Sequence, residues 1–300
     1  MIRKRWKKLG IVAGLSLSLF AAGCGGGDEE AAGEGSYSEQ VDYTITGIEP
    51  GAGLMELTND TVEAYDNLDG WDIQESSGAG MTTALREAIE NEEPIVVTLW
   101  SPHWAFSAYD LKYLDDPQGT ISESEDIHTI VREGLDEDLP NAYAILDNFF
   151  WEIEEMEEVM LAAEQTSEEE AAAEWVEENQ DRVSEWTEGV EEANGEEFEL
   201  GTTPWESELA SAHVMLEVLT QHGFDVTLTP VDPAVLFQSI ASGDVDGSVA
   251  PWLPVTHAAI YEEHKEDLVD LGENLTGTQN GLAVPEYMDI DSIEDLEPRP

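Results

Sequence analysis

Apolar and polar positions alternate over residues 41–48, and the run stops at Glu49-Pro50-Gly51-Ala52-Gly53. Alternation of this kind predicts a strand closed by a proline-glycine turn. Residues 54–67 switch to helical spacing, with Thr58 as a possible cap. Residues 71–75 read as a short strand, and Ser76-Ser77-Gly78-Ala79-Gly80 leads into a helix over 81–91. The run Pro94-Ile95-Val96-Val97-Thr98-Leu99-Trp100 is almost continuously apolar, as in a parallel strand buried on both faces. Strand, glycine turn, helix, strand is α/β organisation.

From Ile127 the pattern turns helical. Helices are expected over 141–150, 153–163 and 167–186, the last opening on a capping box at Ser167-Glu168-Glu169-Glu170. The acidic runs there read as solvated helix faces. The α/β pattern resumes with a strand at 199–203, a helix at 206–222, a strand at 224–229 and a helix at 235–242. A strand at 245–250, delivering Trp252, and a helix at 256–264 follow. A last strand at 281–285 and a short helix or turn at 290–296 complete the reading. No short-period repeat occurs, but the segments ending in Trp100 and Trp252 share a strand followed by a Trp-x-Pro turn. Two similar α/β halves place a ligand where the carboxyl ends of their strands face each other.

The amino terminus changes the domain count. Arg3, Lys4, Arg5, Lys7 and Lys8 precede an apolar run from Leu9 to Phe20, then Ala21-Ala22-Gly23-Cys24. This is the pattern of a secretory signal, and the small residues before the single cysteine make it a lipoprotein signal. Residues 1–23 are expected to be removed and Cys24 lipidated, which leaves no disulfide. The Gly-, Ala-, Glu- and Ser-rich stretch over 24–40 reads as a flexible tether.

Charge narrows the function further. Of 11 Lys and Arg residues, five lie in the first eight positions, while all 68 Asp and Glu lie from Asp28 onward. The chain after the signal carries 6 basic and 68 acidic residues, a net −62 with neutral histidine. Such a surface repels nucleic acid and anionic lipid, and the phosphate contacts that drive nucleic-acid binding are missing. Recurrent aromatic and β-branched residues argue against disorder. A folded protein adapted to salt, where acid–acid repulsion is screened, is the expected reading.

Candidate chemistry lies at the strand ends. Trp100, Trp205 and Trp252 each follow a predicted strand, and His257 stands five residues after Trp252 across Pro254. A quaternary ammonium group has no N–H to donate and is held by aromatic faces, each contributing ~0.5–2 kcal/mol. An anionic pole needs donors. His257 is one, and the N–H groups of Gly53 and Leu54, opening a helix after a glycine-rich turn, are others. The site expected is therefore one for a small zwitterion. His103, His128, His213, His222 and His264 have no ligand-like spacing, so no metal or cofactor is expected. No Gly-x-Ser-x-Gly and no phosphate-binding glycine loop is present, so no catalytic residue is assigned.

Several of these segments are long and unusual. They are Gly47-Ile48-Glu49-Pro50-Gly51-Ala52-Gly53-Leu54-Met55, Trp100-Ser101-Pro102-His103-Trp104, Tyr109-Asp110-Leu111-Lys112-Tyr113-Leu114-Asp115-Asp116-Pro117, Ile127-His128-Thr129-Ile130, Trp205-Glu206-Ser207-Glu208, Trp252-Leu253-Pro254-Val255-Thr256-His257 and Val284-Pro285-Glu286-Tyr287-Met288. Together, over residues 41–296, they resemble the glycine betaine-binding proteins of Opu-type ABC importers, and the order of the halves is that of the OpuAC branch. The resemblance implies a two-lobed periplasmic-binding-protein (Venus-flytrap) fold. Each lobe would be a mixed, mostly parallel sheet flanked by helices. Lobe one would comprise residues 41–122 plus 273–300, and lobe two 123–272. It also implies a tryptophan prism of Trp100, Trp205 and Trp252 around the trimethylammonium, with the carboxylate held by Gly53, Leu54 and His257. The expected role is capture of glycine betaine, and of proline betaine, for an ABC permease and ATPase complex. The protein would be an osmoprotectant receptor, a monomer, and bound to the outer membrane face only through its lipid. Alternatives are a receptor for carnitine or ectoine, or a secreted enzyme acting on a quaternary amine.

Overall fold

The computed structural model describes residues 35–121 and 124–300. The expected signal peptide, Cys24 and most of the expected tether lie outside the described residues. The end of the tether does not. Tyr37–Gln40 forms a short helix, α1, capped by Ser36, with Ser38 buried. Tyr37 is tied to the body of the protein, its hydroxyl accepting the Asp289 N–H at 3.2 Å. Order thus begins before Val41, because Ser36 supplies a cap and Tyr37 a half-buried anchor.

The amino-terminal half runs β1 (Thr44–Thr46), α2 (Gly53–Ala64), β2 (Asp72–Gln74), α3 (Gly78–Asn91), β3 (Val97–Ser101), α4 (Trp104–Ala108) and β4 (Leu111–Tyr113). Helix α3 starts three residues before the expected position because the Ser77 hydroxyl accepts the Gly80 N–H at 3.0 Å. The first four residues of β3 are buried, as a continuous apolar run requires.

β5 (Glu125–Arg132) follows, where helices were expected. Its burial alternates at Glu125, Ile127 and Thr129, so the period is that of a strand. Charged and histidine residues at the intervening positions hide that period from a reading by hydrophobicity. The helical segment is α5 (Leu135–Asp138), α6 (Pro140–Asn148), α7 (Ile153–Ala163), α8 (Glu168–Glu178) and α9 (Gln180–Trp186). The single helix expected over 167–186 is two. Asn179 leaves helical geometry, and its side-chain amide donates to the Trp175 carbonyl at 2.8 Å. Phe149, Trp151, Trp175 and Trp186 form a buried aromatic cluster here, with ring centroids 4.9–6.0 Å apart.

The remaining elements are β6 (Glu197–Thr202), α10 (Glu206–Gln221), β7 (Asp225–Pro230), α11 (Pro233–Ser242), β8 (Gly247–Ser248), β9 (Trp252–Leu253), α12 (Ala258–His264) and β10 (Leu268–Pro285). The last strand is 18 residues long, much longer than the expected 281–285. Its first part is polar and broken by register shifts around Gly272 and Gly277, both at positive φ, which masks the strand pattern.

The strands lie in the order β2-β1-β3-β10-β5-β8-β6-β7, with β4 beside β10 and β9 beside β5. Pairing is parallel at the two flanks, β1 with β2 and β3, and β6 with β7 and β8. Around β10 and β5 it is antiparallel, so the sheet is mixed rather than mostly parallel. Residues 268–278 of β10 pair with β5, whereas residues 279–285 pair with β3 and β4. One strand therefore serves both halves of the sheet.

Candidate functional site

The two Trp-x-Pro turns and the start of α2 converge on a single cavity. It is lined by Ile48, Ala52, Gly53, Leu54 and Trp100 from the β1–β3 side. Trp205, Glu208, Trp252, Thr256 and His257 line it from the β5–β9 side, and Asn280 of β10 completes the wall. Its empty volume, with the open mouth included, is about 310 Å³. All six residues expected to contact a ligand line it.

Each of the three tryptophans is fixed by its indole N–H. Trp252 Nε1–H donates to Glu208 Oε1 at 2.6 Å. Trp100 Nε1–H donates to Ser207 Oγ at 2.9 Å, and Ser207 Oγ–H donates to Glu208 Oε2 at 2.6 Å. Trp205 Nε1–H donates to Glu49 Oε2 at 2.9 Å, and the Glu49 carboxylate also accepts the Gly78 N–H. Two of these bonds, Trp100 to Ser207 and Trp205 to Glu49, join residues from opposite sides of the cavity. With the polar edge occupied, what an indole offers elsewhere is its apolar face, the surface that attracts a diffuse cation.

The spacing of Trp252 and His257 has a local cause. His257 Nδ1 accepts the backbone N–H of Trp252 at 2.9 Å, and the His257 backbone N–H returns to the Trp252 carbonyl at 3.0 Å. Since Nδ1 is the acceptor, the proton of the neutral ring is on Nε2. Burial pulls this imidazole down to about 4, so it is neutral at physiological pH. Nε2 is buried and has no partner among the described residues. His257 is only 2% exposed, so a proton donor stands unsatisfied at the wall of the cavity.

Gly53 and Leu54 are the first two residues of α2. The N-cap residue, Ala52, has no side-chain acceptor to satisfy the first helical amides. A Cβ on Gly53 would lie 2.6 Å from Thr256 Cγ2 and closer still to the Thr256 carbonyl oxygen. Glycine is required there by the close approach of the turn after β9. That turn is held by Glu125, whose carboxylate accepts the Thr256 N–H at 2.8 Å and the Thr256 hydroxyl at 2.5 Å. Asn280 Nδ2 donates to both Glu125 and Thr256.

Sequence reasoning assigned no role to Glu49, Glu125, Ser207, Glu208, Thr256 or Asn280. Among 68 acidic residues nothing in composition distinguishes Glu208. The available signal was its place three residues after Trp205, at the amino-terminal turn of the helix that Trp205 opens. Burial pushes the Glu208 carboxyl up to about 7, and Glu206 likewise. Glu206 Oε2 lies 3.9 Å from His103 Nε2, beyond hydrogen-bond range, and both atoms are buried with no hydrogen-bond partner among the described residues. His103 itself, on the first Trp-x-Pro turn, is held neutral by burial, down to about 3. No cluster of metal-ligating side chains occurs among the described residues. Among them, too, no helix is long and apolar enough to cross a membrane.

Comparison with known proteins points the same way as this geometry. The OpuAC family model, described as the substrate binding domain of ABC-type glycine betaine transport systems, matches residues 29–178 and 196–300. The glycine betaine/carnitine transport binding protein GbuC of Listeria monocytogenes is 45% identical over 295 residues, covering 97% of this chain and 98% of the relative. Among solved structures, lactococcal OpuAC in its closed form with glycine betaine is 50% identical over 50% of this chain and 59% of its own, with a TM-score of 0.49. The glycine betaine/L-proline-binding protein ProX of Borrelia burgdorferi is 33% identical over 50% of this chain and 57% of its own, with a TM-score of 0.46. The chain thus spans less than two thirds of either solved chain.

Proposed function

The chain belongs to the OpuAC family, the substrate-binding domains of ABC-type glycine betaine transport systems, and on that premise we propose that its tryptophan-lined cavity captures glycine betaine. The trimethylammonium group sits against the faces of Trp100, Trp205 and Trp252. The carboxylate is met by the N–H groups of Gly53 and Leu54 and by His257 Nε2–H. The observation that carries this reading is the buried, partnerless Nε2–H of His257 in the wall of a cavity that three indoles also line. A cage alone would suit any bulky cation, whereas a neutral imidazole donor opposite it calls for an acceptor on the same molecule.

Lobe one is taken as residues 41–122 plus 273–300 and lobe two as residues 123–272, with β10 passing between them. Both poles of the ligand touch both lobes, so binding favours the closed form. Closure is then the signal that an ABC permease and ATPase complex reads. Release to that complex occurs outside the cytoplasm. The lipid on Cys24 keeps the receptor at the membrane surface. Mass spectrometry of the mature amino terminus tests the anchor, and a Cys24→Ala variant shed into the medium is the expected result.

The ligand is tested by calorimetric titration in high salt against glycine betaine, proline betaine, carnitine, choline and ectoine. The betaines are expected to bind most tightly. Absence of heat with every betaine, beside binding of ectoine, overturns the assignment. The relative that binds glycine betaine or carnitine by name keeps carnitine as a second reading, and the same titration ranks the two.

A further inference from the structure

We propose that Glu208 is the residue that makes the cage select a positively charged head group over an uncharged one of the same shape. The inference rests on the betaine reading above and names a residue acting on the cation. Glu208 is 3% exposed and lines the cavity, yet among the described residues no lysine or arginine lines it. Both carboxylate oxygens accept hydrogen bonds, Oε1 from Trp252 and Oε2 from Ser207. Ser207 Oγ is already the acceptor for Trp100, so its own proton is directed to Glu208. That arrangement suits an ionised carboxylate, which only accepts.

Trp252 thereby donates directly to a buried anion, and Trp100 reaches the same anion through the Ser207 hydroxyl. An N–H that donates to a carboxylate pushes electron density into its ring, which makes the ring face more attractive to a cation. The carboxylate also adds a direct attraction in a poorly screened interior. Without a cation the ionised form is costly to bury, consistent with the upward displacement of this carboxyl. A cation in the cavity offsets that cost, and an uncharged head group does not. The preference for charge therefore resides largely in Glu208, while the indoles supply shape.

The test uses two ligands of one shape. Glycine betaine carries a trimethylammonium group, and 3,3-dimethylbutyrate carries a tert-butyl group on the same carboxymethyl stem. Their affinities are measured calorimetrically at pH 8 for the wild-type protein, Glu208→Gln and Glu208→Met, with melting temperatures as the check on folding. Glycine betaine is expected to weaken at least tenfold in both variants, while 3,3-dimethylbutyrate binds as in the wild type or more tightly. Equal loss for the two ligands, or no loss of betaine, overturns the proposal and leaves Glu208 as a prop for the indoles. Failure of the wild-type protein to bind glycine betaine at all sinks the betaine reading instead, so the two failures are distinct.

Discussion

Replacing Gly53 by alanine adds one methyl group where α2 meets the turn after β9. The methyl would sit 2.6 Å from Thr256 Cγ2, whereas carbon atoms rest at about 3.5–4.0 Å. The two sides must separate by roughly 1 Å to admit it. Thr256 cannot yield cheaply, because Glu125 accepts both its N–H and its hydroxyl and Asn280 donates to that hydroxyl. Separation moves the α2 amides away from His257, the next residue along the turn. A hydrogen bond to a charged group is worth ~1.5–3 kcal/mol, so losing one of the carboxylate's contacts weakens binding by about 10- to 150-fold. The same clash is present without ligand, so the free protein should lose stability too, and one local effect offsets part of that loss. Gly53 is helical, and alanine is favoured over glycine in a helix by up to ~1 kcal/mol. Calorimetry with glycine betaine and a melting curve without it read the two effects separately. An affinity within twofold of wild type would refute the close approach, and with it the idea that the ligand is shared between the two sides.

Trp252→Ala should cost ~1–3 kcal/mol of betaine affinity through the lost aromatic face, and melting should also suffer because Glu208 Oε1 loses its donor. Choline should bind at least tenfold more weakly than glycine betaine in a fluorescence titration, since its single neutral hydroxyl replaces the two charged oxygens that accept from His257 Nε2–H and the α2 amides; equal affinity refutes the assigned anionic pole. The Glu208 carboxyl, raised in the fold to about 7 from an ordinary 4.5, keeps its proton between those values while the unfolded chain loses it. Its stabilising contribution is therefore complete below pH 4.5 and lost as pH rises to 7, by roughly 3 kcal/mol. The melting temperature of ligand-free Glu208→Gln relative to wild type should accordingly climb from pH 5 to pH 8; a constant gap contradicts the burial argument. With 6 basic against 68 acidic residues after the signal segment, the melting temperature should also rise between about 0.05 and 2 M salt, and a flat response counts against adaptation to salt.

Much of the architecture is written in local pattern. The apolar run at β3, the serine cap of α3 and the helical periodicity of α7 act between neighbours in the chain, so the sequence exposes them. The same holds for the five-residue spacing of Trp252 and His257, which reflects two hydrogen bonds within one turn. β5 and the first part of β10 were illegible for the opposite reason. Their polar residues pair across the sheet, as His128 does with Asp270 and Thr278 with Glu125, and such partners are distant in sequence. Glu208 is the clearest case. Its type is the commonest property of this chain, and only folding strips it of water and links it to two indoles from separate turns, to Trp252 directly and to Trp100 through Ser207. Propensity and periodicity act along the chain and survive in the sequence; desolvation and long-range pairing exist only once the chain has closed on itself.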